Sequence, residues 1–477
     1  MATYRWNGAA ATGAFATAKN GQFSNASATT LPGPNDLAIV TNAAVPISGT
    51  GKVQVMNFSG TNKLLRHVSA NYGAPVNEHL TLLPGAILNP ASLQISLNFS
   101  VNPATTTSAK VSVGEKSQVV LSESNAPDSY GIQIANAAGS QGTLEVQGKQ
   151  AVVSGNNAPM SVDQNGKGLL TITDGAFVSV GNGDPLIFPW GLMIGNHAGS
   201  NGTEKVVKAA LRVHGQTIVG RKSSGTLDIG ESGLVVTDDL AIGWVPTPGV
   251  GAVTVDGHDA RLIVMKALEV QHMGQGSLKV SGHGLVSAGI GIIVNGAVTF
   301  ADGIIETMAL GVNSGATLSG SGTVIASAGF RIDGGTVTAQ PQLKLIGGID
   351  NAGTIVVAAH SALQCYGAIS DTGAIKLGPA SVTSLEAVES GQTITFGGNP
   401  ARLVLHSPGA FEGVIDGFAH TNEIELDAHA TTYQFTSPTL TLRDVNNQIV
   451  AQLQMLGTFG PNAFQLTPGN VSVIKLL

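Results

Sequence analysis

Short runs in which every second residue is aliphatic recur along this chain, each opened by a glycine. The clearest copies read Gly142-Thr-Leu-Glu-Val-Gln-Gly148, Gly225-Thr-Leu-Asp-Ile-Gly230, Gly251-Ala-Val-Thr-Val-Asp-Gly257 and Gly276-Ser-Leu-Lys-Val-Ser-Gly282, with a looser one at Gly168-Leu-Leu-Thr-Ile-Thr-Asp-Gly175. In each, two aliphatic residues flank one polar residue: Glu145, Thr171, Asp228, Thr254 or Lys279. A period of two predicts short strands with one buried side. The opening glycines at 142 and 168, 225 and 251, and 251 and 276 lie 26, 26 and 25 residues apart. Further strand candidates, such as 177–180, 234–236 and 262–264, fall between the copies and are bounded by Gly, Asn, Asp and Ser. Each period therefore holds two or three strands and as many turns, which is one coil of a solenoid.

One coil cannot bury its own apolar side. Stacked in register, equivalent strands form a continuous core and satisfy each other's backbone groups. The fold expected is an all-β, right-handed parallel β-helix; the hand follows from the preference of parallel crossovers. Gly-x-aliphatic units spaced by about 18 to 20 residues at Gly315, Gly335, Gly353 and Gly373 carry the pattern on. Three regions are expected: an N-terminal cap with the first coils (1–60), β-helix repeats (61–390) and a C-terminal β module serving as a cap, with an export or assembly role (391–477). Residues 60–130 are less regular, and 183–210 breaks the spacing and reads as a loop excursion.

The repeats of 140–300 resemble those of autotransporter passengers and related bacterial surface proteins, in which a Gly-Thr-Leu-x-Val-x-Gly strand alternates with a unit ending in Ile-Gly. Leu192-Met-Ile-Gly195, Thr217-Ile-Val-Gly220 and Ala241-Ile-Gly243 match that second unit. The opening Tyr4-Arg-Trp-Asn-Gly8 and Leu31-Pro-Gly-Pro-Asn-Asp36 resemble the start of such passengers. Phe411-Glu-Gly-Val-Ile-Asp-Gly-Phe418, Asn422-Glu-Ile-Glu-Leu426 and 449–457 are similar to a module at the ends of large secreted adhesins. The resemblance implies a protein of the cell surface or the extracellular space. The residues after 390 are too few for a membrane barrel, no secretory leader stands at the N-terminus, and the apolar end Val471-Ser-Val-Ile-Lys-Leu-Leu477 suits a C-terminally read type I export signal.

Composition narrows the partners. Of 477 residues, 63 are Gly, 43% are hydrophobic and 11% are charged, so there is ample apolar material and little of the charge that accompanies disorder. A net charge of −7 disfavours nucleic acid, whose phosphates require a basic surface. No run of about 18 apolar residues predicts a membrane span. The single cysteine, Cys365, sits in a strand-like setting and reads as a small buried hydrophobe.

Several constellations invite a chemical reading, and each also has a plainer one. Asp238 and Asp239, with Asp228 and Glu231 nearby, could serve acid–base chemistry on a polysaccharide, but adjacent strand residues point to opposite sides, and a solvated turn explains them. His258 with Asp256 and Asp259, and His420 with His429, lack the spacing of a zinc site. Nucleotide-binding and nucleophile-elbow motifs are absent from the sequence. The calcium-binding Gly-Gly-x-Gly-x-Asp repeat is also absent, and the Asp-Gly pairs at 174, 256, 302, 333 and 416 are accounted for as turns. Trp6, Trp190 and Trp244 are the aromatic platforms available to a sugar, with Trp190 and Trp244 expected to be exposed. No catalytic, cofactor or metal residue is therefore assigned, and no cofactor is expected.

The expected function is that of a secreted structural or adhesive surface protein, not an enzyme. It self-associates into a homo-oligomer or homopolymer (a filament, layer or matrix), with surface polysaccharide as a further partner. Phe418, Phe435, Phe459 and Phe464 are its anchors for assembly. A polysaccharide-degrading β-helix enzyme or a tailspike-like depolymerase is the alternative.

Overall fold

The computed structural model describes residues 108–477, apart from 122–130, 136–138, 156–157, 164, 182–189 and 247–248, together with the backbone of short strands between residues 3 and 95. The chain is all-β among the described residues, with one short 3-10 turn at Pro408–Ala410. It divides into two compact units, residues 1–265 with 271–277 and residues 266–270 with 278–477.

The first unit is a β-solenoid whose coils each supply three strands, and each strand pairs in parallel with its counterpart one coil on. The first strands stack in the order Ser108–Val113, Gln141–Gln147, Lys167–Thr173, Asn201–Val207, Ser224–Ile229 and Val250–Asp256. The second strands run from Gln118–Val120 through Val152–Ser154, Phe177–Val180, Ala210–Val213 and Leu234–Thr237 to Arg261–Val264. The third are Ile132–Ile134, Met160–Val162, Trp190–Ile194, Gln216–Val219 and Asp239–Ile242. Upstream, Thr3–Trp6, Leu37–Thr41, Val55–Ser59 and Glu78–Leu82 join the first-strand ladder, also in parallel.

Register places the predicted aliphatic pairs in columns. Val146, Ile172, Val206, Ile229 and Val255 form one, all fully or almost fully buried. Each such side chain contributes on the order of 1.5–3 kcal/mol by leaving water. The ladder supplies the backbone partners that an isolated strand lacks.

The second unit uses shorter coils. Ala297–Asn313 and Thr317–Asp333 are single 17-residue strands that turn corners at bulges, and they pair along their whole length. Gly320 and Gly322 form one such corner with φ of 133° and 138°, conformations that L side chains rarely adopt, and a Cβ at Gly320 would fall 1.8 Å from the Phe300 carbonyl. Parallel pairing runs beyond residue 390, from Val382–Val388 to Arg402–Leu405 and on to Glu423–Leu426. Cys365 is buried between Leu345 and Leu385 in register, and burial pushes its thiol up to about 12.

Antiparallel strands close the C-terminal end. Ser472–Leu476 pairs with Glu423–Leu426 on one side and Phe464–Thr467 on the other. Thr432–Thr436, Thr439–Arg443 and Ile449–Met455 form a meander whose last strand pairs with Val414–Asp416. Phe418, Phe435 and Phe464 are buried in one aromatic cluster with Phe459 and Tyr433. This corrects their reading as assembly anchors, because the rings are consumed in filling the cap.

The reading of 183–210 as a loop excursion is corrected for 190–210, while 183–189 lie outside the described residues. Trp190–Ile194, with a register shift after Trp190, and Asn201–Val207 are strands of the stack. The copy Gly202-Thr-Glu-Lys-Val206 is disguised because Glu204 occupies the inward position held by Leu170 and Leu227 on the neighbouring coils.

Candidate functional site

The densest polar arrangement lies in the first unit, at the corner between the third strand of one coil and the first strand of the next. The Ile-Gly units end here. Gly195, Gly220 and Gly243 have φ near 75° (77°, 75° and 71°), which lets the chain leave the third strand sharply. One coil earlier the same corner is made by Asp163, at φ 75°, a position where Asp is among the few tolerated side chains.

Asp163 uses that place to clamp the next coil. Its Oδ1 accepts the Gly195 N–H at 2.7 Å, and the Asn196 N–H also donates to the carboxyl. Ser200 Oγ lies 2.7 Å from Asp163 Oδ2, 2.7 Å from the His197 carbonyl and 2.8 Å from Ser223 Oγ. Gly202 leaves the room, since a Cβ there would fall 2.6 Å from Asp163 Oδ1. Burial pushes the Asp163 carboxyl up to about 8, against the hydrogen bonds from Ser200, Gly195 and Asn196, which favour the charged form. Protonated at neutral pH, Asp163 can donate to Ser200, freeing the one Ser200 proton for the His197 carbonyl. With no exposed surface, this carboxyl fastens coils and cannot meet a substrate.

Over the outer side of the third strands lies a layer of planar groups. Asn196 Nδ2 donates to Ser161 Oγ at 3.3 Å, Arg221 Nη1 donates to Asn196 Oδ1 at 3.0 Å, and the Arg221 guanidinium sits 4.9 Å from the centre of the Trp190 ring. Beneath them the outward column Ser161, Met193, Ile218 and Ala241 is buried. Trp244 stacks on His272 with ring centres 4.3 Å apart. Loss of hydration, followed by the nearby Lys222 and Arg221 charges, holds His197 below the usual imidazole range. Trp190, Arg221, Trp244 and His272 are half-buried, so ring edges and donors reach solvent. The expected exposure of the two tryptophans is thus partial, and the Trp6 side chain lies outside the described residues.

The other sequence candidates take structural places. Asp238 accepts the Gly215 N–H at 2.9 Å and pairs with Arg212 at 3.5 Å, while Asp239 opens the next strand opposite Gln216. Asp228 and Glu231 do not join them: Asp228 lies in the first-strand ladder and Glu231 pairs with Lys208. His258 is exposed and pairs with Asp259. His420 Nδ1 meets the Leu476 carbonyl and His429 Nδ1 the Gly469 carbonyl, so the first pins the C-terminal strand and the second the turn that leads into it. The Asp-Gly corners have the positive φ that turn chemistry requires, as at Asp174 (57°) with Gly175 (86°). Among the described residues, no group of three His, Cys, Asp or Glu is placed to hold a metal ion, and no helix is long and apolar enough to cross a membrane.

Sequence reasoning missed Asp163, Ser200 and Ser223, which are brought together from turns 23 to 37 residues apart. A faint signal exists: a serine stands two residues before the opening glycine at Ser140, Ser200 and Ser223. Compared with known proteins, the chain matches no protein-family model and no curated protein.

Proposed function

We propose that this protein is an extracellular structural and adhesive scaffold that associates with copies of itself through the outer side of its second unit. The observation that carries this reading is an exposed apolar row there: Ile290 and Met308, on successive coils, and Ile293 are 54%, 46% and 44% exposed. Solvent-facing positions of a soluble sheet are ordinarily polar, and clustered exposed aliphatic residues mark association surfaces. At the C-terminal end Val414–Asp416 is covered by Ile449–Met455 in parallel and Glu423–Leu426 by Ser472–Leu476 in antiparallel pairing, so association through sheet sides is favoured over end-to-end growth there. Surface or matrix polysaccharide is the second partner class. The planar groups Trp190, Arg221, Trp244 and His272 offer the ring edges and donors that such a ligand uses.

Sedimentation velocity and electron microscopy over a hundredfold range of concentration test the scaffold reading. Larger species should grow with concentration in the native protein and vanish in an Ile290→Asp, Met308→Asp double variant. A native protein that stays monomeric throughout, or a double variant that assembles unchanged, overturns it. Digestion of a polysaccharide by the purified protein would instead favour the depolymerase alternative.

A further inference from the structure

Glu204 is the one inward residue of its column that ought to be aliphatic. Its neighbours in register are Leu170 and Leu227, and the strand presents Gly202, Glu204 and Val206 to the interior. The side chain has 0% exposure, and neither carboxyl oxygen has a hydrogen-bond partner. Among the described residues no cation compensates it. On the strands packed against it, Lys167, Asp228 and Arg212 stand at outward positions, as does Lys205 on its own strand; Met160–Val162, Trp190–Ile194 and Leu234–Thr237 bear no charged residue. The other buried acid among the described residues is Asp163, which faces Gly202 and is held by its own donors.

An ionised carboxylate in such a place would lack both water and a counter-charge, whereas the neutral acid is only an unpaired polar group. We propose that Glu204 makes the closure of its coil in the first unit proton-dependent: the coil stays closed while the carboxyl is neutral, and loss of the proton drives its local opening.

The direction follows from linkage. Burial pushes the closed-state carboxyl from 4.5 up to about 8, so between those values the closed coil holds a proton that the open coil has released. Stability is fully present below the lower value and is lost as pH rises towards the upper one.

Amide hydrogen exchange along Asn201–Val207 reads this directly when the native chain is compared with Glu204→Gln at each pH, because the chemical exchange rate and the Asp163 contribution cancel in the ratio. The native-to-variant ratio of opening should climb about tenfold per pH unit from pH 5 to pH 8 and then level off, a total on the order of a thousandfold. Glu204→Leu, which completes the aliphatic column, should show the same contrast and carries the test if the buried amide of the first variant prevents folding. A ratio that does not change with pH for either variant overturns the proposal.

Discussion

The third strands of the coils behave differently in the two units. In the first, the outward column Gln133, Ser161, Met193, Ile218 and Ala241 is buried, so the strands are packed on both sides. In the second, Ile293, Arg331 and Asp350 at the corresponding outward positions are exposed, and Glu269 and Gly311 in the same column are half-buried. Coil length separates the cases. First strands of the first unit begin 23 to 34 residues apart between Gln141 and Val250, whereas Ala297, Thr317, Thr336 and Thr354 are 18 to 20 apart. Residues beyond what three strands require are free to form turns that fold Asn196 and Arg221 over the sheet. A coil with none to spare leaves its outer side bare, and an aliphatic residue placed there becomes available to another molecule.

Single substitutions can break that contrast. Met193→Asp puts a charge into a packed layer and should cost about 3–5 kcal/mol, read as a lowered denaturant midpoint for the first unit. Asp163→Ala leaves the Gly195 and Asn196 N–H groups without their acceptor and should cost about 2–3 kcal/mol, whereas Asp163→Asn keeps an acceptor and should cost under about 1 kcal/mol at pH 5. Because the Asp163 carboxyl is raised to about 8, the aspartate protein should lose stability relative to the asparagine variant as pH rises from 4 towards 8, measured by melting at stepped pH. Arg221→Ala uncovers the layer beneath Trp190 and should cost about 1 kcal/mol, with faster exchange across Trp190–Ile194. Smallest of all, Ile293→Asp in the second unit should change stability by less than about 0.5 kcal/mol. A loss as large as that of Met193→Asp would mean that the two outer sides are alike.

The solenoid was legible in the chain because its signal is local: alternation around Leu144, Leu170, Leu227, Val253 and Leu278, and glycines at corners that need positive φ. The strand Asn201–Val207 was hidden, although Leu192-Met-Ile-Gly195 before it matched a repeat unit, because Glu204 breaks the alternation at its centre and an insertion stretches the spacing to 34 residues. The Asp163 cluster escaped for a different reason. Asp and Ser in turns are ordinary, and only stacking brings Asp163, Ser200 and Ser223 into contact, so the serine two residues before an opening glycine is the faint trace that the sequence carries of it. The planar layer was half visible. Trp190 and Trp244 stood out as rare aromatics, while Arg221 and His272, which share their faces, looked like any polar turn residues.

A stack of parallel coils has no intrinsic length, since every added turn offers the same edge to the next. Something other than repetition must therefore decide how many turns there are. Here the strand Ser472–Leu476 reverses direction against Glu423–Leu426, and Phe418, Phe435 and Phe464 fill the space that a further coil would occupy. The cap acts as an end mark on that side of the stack, and deleting it would leave Glu423–Leu426 with an open edge on which a strand of the same period could pair.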